Sequence, residues 1–254
     1  MDLPAERLTW IDNLERAVRT ESLLRLGPLV RYFHFLQETI LVALDNSGSP
    51  LEIATDKNNP LLLAYLTTTR SFSIAKGAMD LALNGHPFEA IALSRVLAEI
   101  AESTQYLVRH PNLIDRFISG SLKLDQVLKS AKKEKPREGL YPFGRLRGIQ
   151  STYAHASPDL LTITVSIKGP LLSSSLVVET PDRIDEAAHG IALILLMQYV
   201  LMRLTLLNVL KPLETLAKRD AVLHDLANIR AVVSPKGMSD ATIAAMRETL
   251  TGIT

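Results

Sequence analysis

Four side chains that could do chemistry share one face of a single helical stretch: Arg95, Glu99, Glu102 and Tyr106. At 100° per residue they fall within about 60° of one another. Leu93, Val96, Leu97, Ile100, Leu107 and Val108 are expected to crowd the other side. Such a stripe is either a charged face turned to water or one wall of a polar cleft. An Arg95–Glu99 pair four residues apart contributes only about 0.3–0.5 kcal/mol when exposed, so the first reading requires no function. A second polar group, Tyr153-Ala154-His155-Ala156-Ser157-Pro158, follows a helical stretch. There His155 can serve acid–base chemistry or simply favour the carboxyl end of a helix dipole.

A third feature is electrostatic. Residues 121–147 hold Lys123, Lys129, Lys132, Lys133, Lys135, Arg137, Arg145 and Arg147 against Asp125, Glu134 and Glu138. The chain as a whole carries +1, so this local excess of five positive charges leaves the remainder acidic. A basic stripe leading into Tyr153 and His155 suits an anionic partner such as RNA. Its aromatics, Tyr141 and Phe143, do not alternate with the cations in the manner that stacks on single-stranded bases. The competing reading is a solvated helix and linker.

The elements that must position these groups are mostly helices. In 254 residues with 47% hydrophobic content there is enough apolar surface for a sizeable core. Asp2 and Pro4 open a first helix, Gly27-Pro28 is expected to break it, and a second runs to Asn46-Ser47-Gly48-Ser49-Pro50. After a loop, Pro60 starts a long apolar helix that stops at Asn84-Gly85. Pro87 then starts the next, and His110-Pro111 ends it. Shorter helices are expected over 111–117, 122–133 and 143–154. Leu161 to Ile167 then alternates with period two, Lys168-Gly169-Pro170 turns, and Ser175 to Glu179 is again β-rich, predicting one hairpin inserted near residues 161–179.

Thr180-Pro181-Asp182 launches a further apolar helix, and Pro212 kinks or ends it. Its longest uncharged run, Ala187 to Met202, spans 16 residues, short of the ~18–20 a membrane span needs. No membrane association is expected. The fold class predicted is mainly all-α, a bundle of long antiparallel helices forming one domain over 1–254. Its core is expected over 60–210, with helical amino- and carboxyl-terminal extensions.

The order of these pieces resembles an uncharacterised group of bacterial all-helical proteins, themselves reminiscent of the HEPN helical bundles, some of which are ribonucleases in toxin and anti-phage systems. The resemblance rests on the Asn-Gly hairpin, the stretch Ala90 to Glu99, the Tyr-Leu-x-x-His-Pro exit at Tyr106 to Pro111, and the Tyr-x-His-x-Ser turn at Tyr153 to Ser157. It covers roughly residues 60–210 and implies that Arg95, Glu99 and His155 are the positions to watch, with Tyr153 beside them.

The HEPN nuclease motif places His four to six residues after Arg. Arg219 to His224 and Arg183 to His189 both fit, and about one such match is expected by chance. Only Arg219 is followed by the polar residue that the motif prefers, Asp220, so Arg219 with His224 is the alternative catalytic pair. Lys129, Lys132, Lys133, Arg145 and Arg147 are the candidate binding residues.

Several chemistries are disfavoured. The chain has no cysteine, which removes disulfides, thiolate nucleophiles and cysteine-bound zinc and fits a reducing, cytoplasmic compartment. No export signal is read in Met1 to Trp10. Glu186-Ala187-Ala188-His189 has di-iron spacing but occurs once, and no Gly-rich phosphate loop or His-Glu-x-x-His motif is present. No metal or cofactor is expected. The function expected is an interaction protein whose cleft or stripe binds RNA or a protein partner, such as an accessory defence protein or a second copy in a homodimer. The alternative is a metal-independent ribonuclease.

Overall fold

The computed structural model describes residues 5–45 and 59–134, together with backbone strand segments at 165–168 and 171–174. The described residues are predominantly helical, which supports an all-α class. Helix α1, Ala5–Asp45, is 41 residues long, a rod of about 60 Å. The break expected at Gly27-Pro28 does not occur. Proline at position 28 lacks the N–H that would reach the Leu24 carbonyl, yet its fixed φ is helix-compatible. Leu26 just before it, and Leu29, Val30, Phe33, Leu36 and Ile40 beyond it, are all buried. At about 1.5–3 kcal/mol for each large side chain removed from water, that continuous apolar edge outweighs one lost hydrogen bond.

Helix α2, Pro60–Leu83, and helix α3, Pro87–Arg109, form the hairpin read from Asn84-Gly85-His86-Pro87. Asn59 caps α2 by accepting the Leu61 N–H at 2.9 Å, with Pro60 in the first turn. At the other end the His86 N–H reaches the Leu81 carbonyl at 2.8 Å and the Gly85 N–H reaches that of Ala82 at 3.4 Å. This paired closure is the Schellman motif, and it requires the left-handed residue that Gly85 supplies at φ 94°. The chain then reverses so that α3 packs back along α2.

Small residues line that contact. Ala64, Ala75, Ala78 and Ala82 of α2, with Ala90, Ala98 and Ala101 of α3, are wholly inaccessible to water. Buried hydroxyls are accommodated by bonding back to their own helix. Ser71 donates to the Thr68 carbonyl at 2.8 Å, Ser94 to that of Ile91 at 2.6 Å and Ser103 to that of Ile100 at 2.9 Å. Each keeps its donor satisfied while adding little bulk.

A short 3-10 turn, Pro111–Leu113, leads into α4, Ile114–Ile118, and after Gly120 at φ 79° into α5, Leu124–Lys133. The start of α5 is closed by Gln126, whose Oε1 accepts the Lys123 N–H at 2.9 Å. Val127 anchors this helix to the body, joining Leu63, Leu107 and Ile114 in one cluster. Tyr106, Val108, Leu113, Phe117 and Leu122 pack around it.

Among the strand segments, β1, Val165–Lys168, pairs antiparallel with β2, Leu171–Ser174, in the register Val165 to Ser174 and Lys168 to Leu171. This four-residue pairing does not support the hairpin expected over 161–179, whose second strand, Ser175 to Glu179, lies outside the described residues. The remainder of the 161–179 prediction, and the helices expected over 143–154 and 180–254, lie outside the described residues. Among the described residues no helix is long and apolar enough to cross a membrane. The apolar 190–210 stretch falls outside them as well.

Candidate functional site

Helix α3 carries the polar stripe, and its surroundings decide which way that stripe faces. Thirteen of its residues are buried, including Glu102, Ser103, Thr104 and Gln105 in succession. Arg95 and Glu99 retain only 24% and 22% of their side-chain exposure, and Glu102 retains 9% as a residue. The stripe is therefore sheltered. The expected apolar side is covered only in part: Leu97 and Leu107 are fully buried, whereas Val96 is 38% exposed. A helix enclosed on most of its circumference departs from the two-faced pattern because the small residues Ala98, Ala101 and Ser94 let neighbours approach closely on other sides.

Within the stripe, Arg95 Nε donates to Glu99 Oε1 at 3.1 Å. About two turns further along, Tyr106 lies with its ring against that of His110, centroids 4.4 Å apart and planes 37° to one another. There the stripe gains members that spacing alone did not reveal. Glu134, just past the end of α5, bridges Arg109 and His110. Its Oε2 accepts from Arg109 Nη2, and its Oε1 lies 2.7 Å from His110 Nε2. Because a carboxylate only accepts, the imidazole presents Nε2–H to it.

Partial burial pushes the Glu134 carboxyl up. The hydrogen bonds from His110 and Arg109, reinforced by their charges, outweigh it and hold the group below its ordinary value. Arg109 and His110 are adjacent in sequence, at the end of the same face as Tyr106. Their position was legible, but Glu134 lies 24 residues beyond His110 and no local pattern joins it to them.

The basic stripe is represented here by α5. Lys129, Lys132 and Lys133 are exposed and fall within about 100° on the helix, opposite the buried Val127. Lys129 has a loose contact of 3.5 Å with Asp125 one turn earlier, both side chains being more than half exposed. At the opposite end of α3 a second polar cluster ties α1 to the α2–α3 turn. Arg19 reaches Asp80 at 3.1 Å and Asn84 at 2.9 Å, and Glu15 meets His86 at 3.0 Å. None of these five was singled out as a site residue, since their partners are more than 60 residues apart.

The remaining predicted residues, Tyr153, His155, Arg145, Arg147, Arg219 and His224, lie outside the described residues. Thus Arg95 is brought to Glu99, and Tyr106 to the Arg109–His110–Glu134 cluster. Among the described residues no group of three or more His, Asp or Glu side chains is arranged to hold a metal ion. No family model, curated protein or solved structure matches the chain.

Proposed function

We propose that this is a non-catalytic interaction protein of the cytoplasm that binds RNA through the lysine face of α5, with Arg145 and Arg147 as further binding residues. The observation that carries the reading is the exposure of Lys129, Lys132 and Lys133 on one side of a helix whose other side is anchored by Val127. Three cations held at helical spacing on a fixed scaffold form a backbone-directed surface, which attracts phosphates without reading bases. The pairing of Arg95 with Glu99 favours a structural role for the sheltered stripe. As architecture, the same proposal takes the helices to close into a single bundle, with a hairpin inserted over 161–179.

Fluorescence anisotropy with a labelled, unstructured RNA of about 20 nucleotides tests it. Binding should weaken with salt, and each lysine removed should flatten the log–log slope by about 0.7. The triple reversal Lys129→Glu, Lys132→Glu, Lys133→Glu should abolish binding. No binding at low salt overturns the proposal and leaves a protein partner, whether an accessory protein or a second copy, as the occupant of this surface. Cleavage of the RNA in metal-free buffer, lost in His155→Ala or in His224→Ala, replaces it with the ribonuclease.

A further inference from the structure

The Arg109–His110–Glu134 cluster has the composition of an occupied anion site. Its two donors converge on a single carboxylate, one oxygen to each, and Tyr106 braces the imidazole from the side. Tyr106 in turn packs against the apolar cluster of Leu63, Leu107, Ile114 and Val127, which ties this end of α3 to α5. The side chains of the two donors are nonetheless reachable from solvent, at 30% exposure for Arg109 and 38% for His110. An arginine fork and an imidazole N–H on adjacent residues suit phosphate as well as carboxylate, because both ligands offer paired anionic oxygens.

We propose that Arg109 and His110 form a phosphate-binding cradle, which Glu134 fills with its own carboxylate until a backbone phosphate of the bound nucleic acid displaces it. Glu134 follows α5 directly, and α5 carries Lys132 and Lys133 in its last turn. A strand drawn to the lysine face therefore arrives beside the cradle. The carboxylate is a suitable placeholder because it sits on the element that meets the ligand: displacement frees two donors and leaves one exposed helix end to adjust. The site deepens the RNA reading and rests on it for the identity of the ligand, although not for the existence of the cradle.

Two probes separate these: the labelled RNA, and inorganic phosphate alone. Glu134→Gln keeps the side chain's length and removes its charge, and Glu134→Ala provides a second variant should the first perturb α5. Either should bind RNA about three- to tenfold more tightly than the wild-type protein at low salt, as the competing carboxylate is lost. Millimolar phosphate should raise the thermal midpoint of Glu134→Gln and leave that of the double variant Glu134→Gln, Arg109→Gln unchanged. In the Arg109→Gln background the gain from Glu134→Gln should vanish.

A gain that persists without Arg109 is a general charge effect and overturns the cradle. So does unchanged RNA affinity in both Glu134 variants while the lysine reversal still abolishes binding, an outcome that leaves the RNA reading standing. Phosphate stabilisation that depends on Arg109, with no RNA bound by any variant, upholds the cradle and removes RNA as its ligand.

Discussion

At the scale of single residues, Thr104 and Glu134 show how much depends on partners that spacing does not reveal. Thr104 is wholly buried, and its Oγ1 has no hydrogen-bond partner among the described residues. A hydroxyl removed from water without compensation costs about 1–3 kcal/mol, while valine has the same shape without it. Thr104→Val should therefore raise stability by about 1 kcal/mol, read as an increase in the urea midpoint at unchanged slope. Glu134 makes the opposite case. Its folded-state carboxyl titrates below its ordinary value, so its contribution to stability is complete above that value and is lost as pH falls through the folded one. Thermal midpoints measured from about pH 6 down to pH 3 should fall less steeply for Glu134→Gln than for the wild-type protein. The stripe of Arg95, Glu99, Glu102 and Tyr106 was legible because it repeats on one helix. Its continuation through His110 to Glu134 was not, since a contact across 24 residues depends on how α5 folds back onto α3.

At the scale of elements, the helical hairpin was readable almost to the residue, because each of its ends is set by local chemistry. Asn59 and Pro60 begin α2, Gly85 closes it, and Pro87 begins α3. Two glycines on this hairpin should respond to alanine in opposite ways. Gly85 sits at φ 94°, where a Cβ is strained, so Gly85→Ala should cost about 1–2 kcal/mol. Gly77 lies within α2, exposed, and an added Cβ there meets nothing within 4 Å. Gly77→Ala should therefore stabilise by about 0.5–1 kcal/mol, through the entropy of the unfolded chain and better helix propensity. Differential scanning calorimetry of the two variants gives the sign of each directly. Helix α1 is where local signals misled: Gly27-Pro28 has the composition of a stop, and the apolar edge from Leu26 to Ile40 carries the helix through it. Burial is a tertiary property, and no window of sequence around Pro28 contains the surface against which that edge packs.

At the scale of the whole molecule, α1 is held in two different ways along its length, and the two halves should come loose separately. Its carboxyl half is packed by Phe33, Leu36 and Ile40, each no more than 3% exposed. Its amino half is tied to the α2–α3 turn by Arg19 and Glu15, through polar contacts whose side chains stay between 23% and 47% exposed. Partly exposed ion pairs of this kind contribute only about 0.2–1 kcal/mol, because water and salt compete for both partners. Truncating a buried isoleucine removes about 2–5 kcal/mol. Arg19→Ala should thus speed hydrogen exchange of the amides around residues 10–25 and leave α2, α3 and the carboxyl half of α1 protected as before, since local opening requires only the weak tether to break. Ile40→Ala should instead lower the global midpoint and accelerate exchange throughout the described helices together. Equal acceleration everywhere in Arg19→Ala would show that α1 opens only with the core, and that the polar tether is part of one cooperative unit with the packed half.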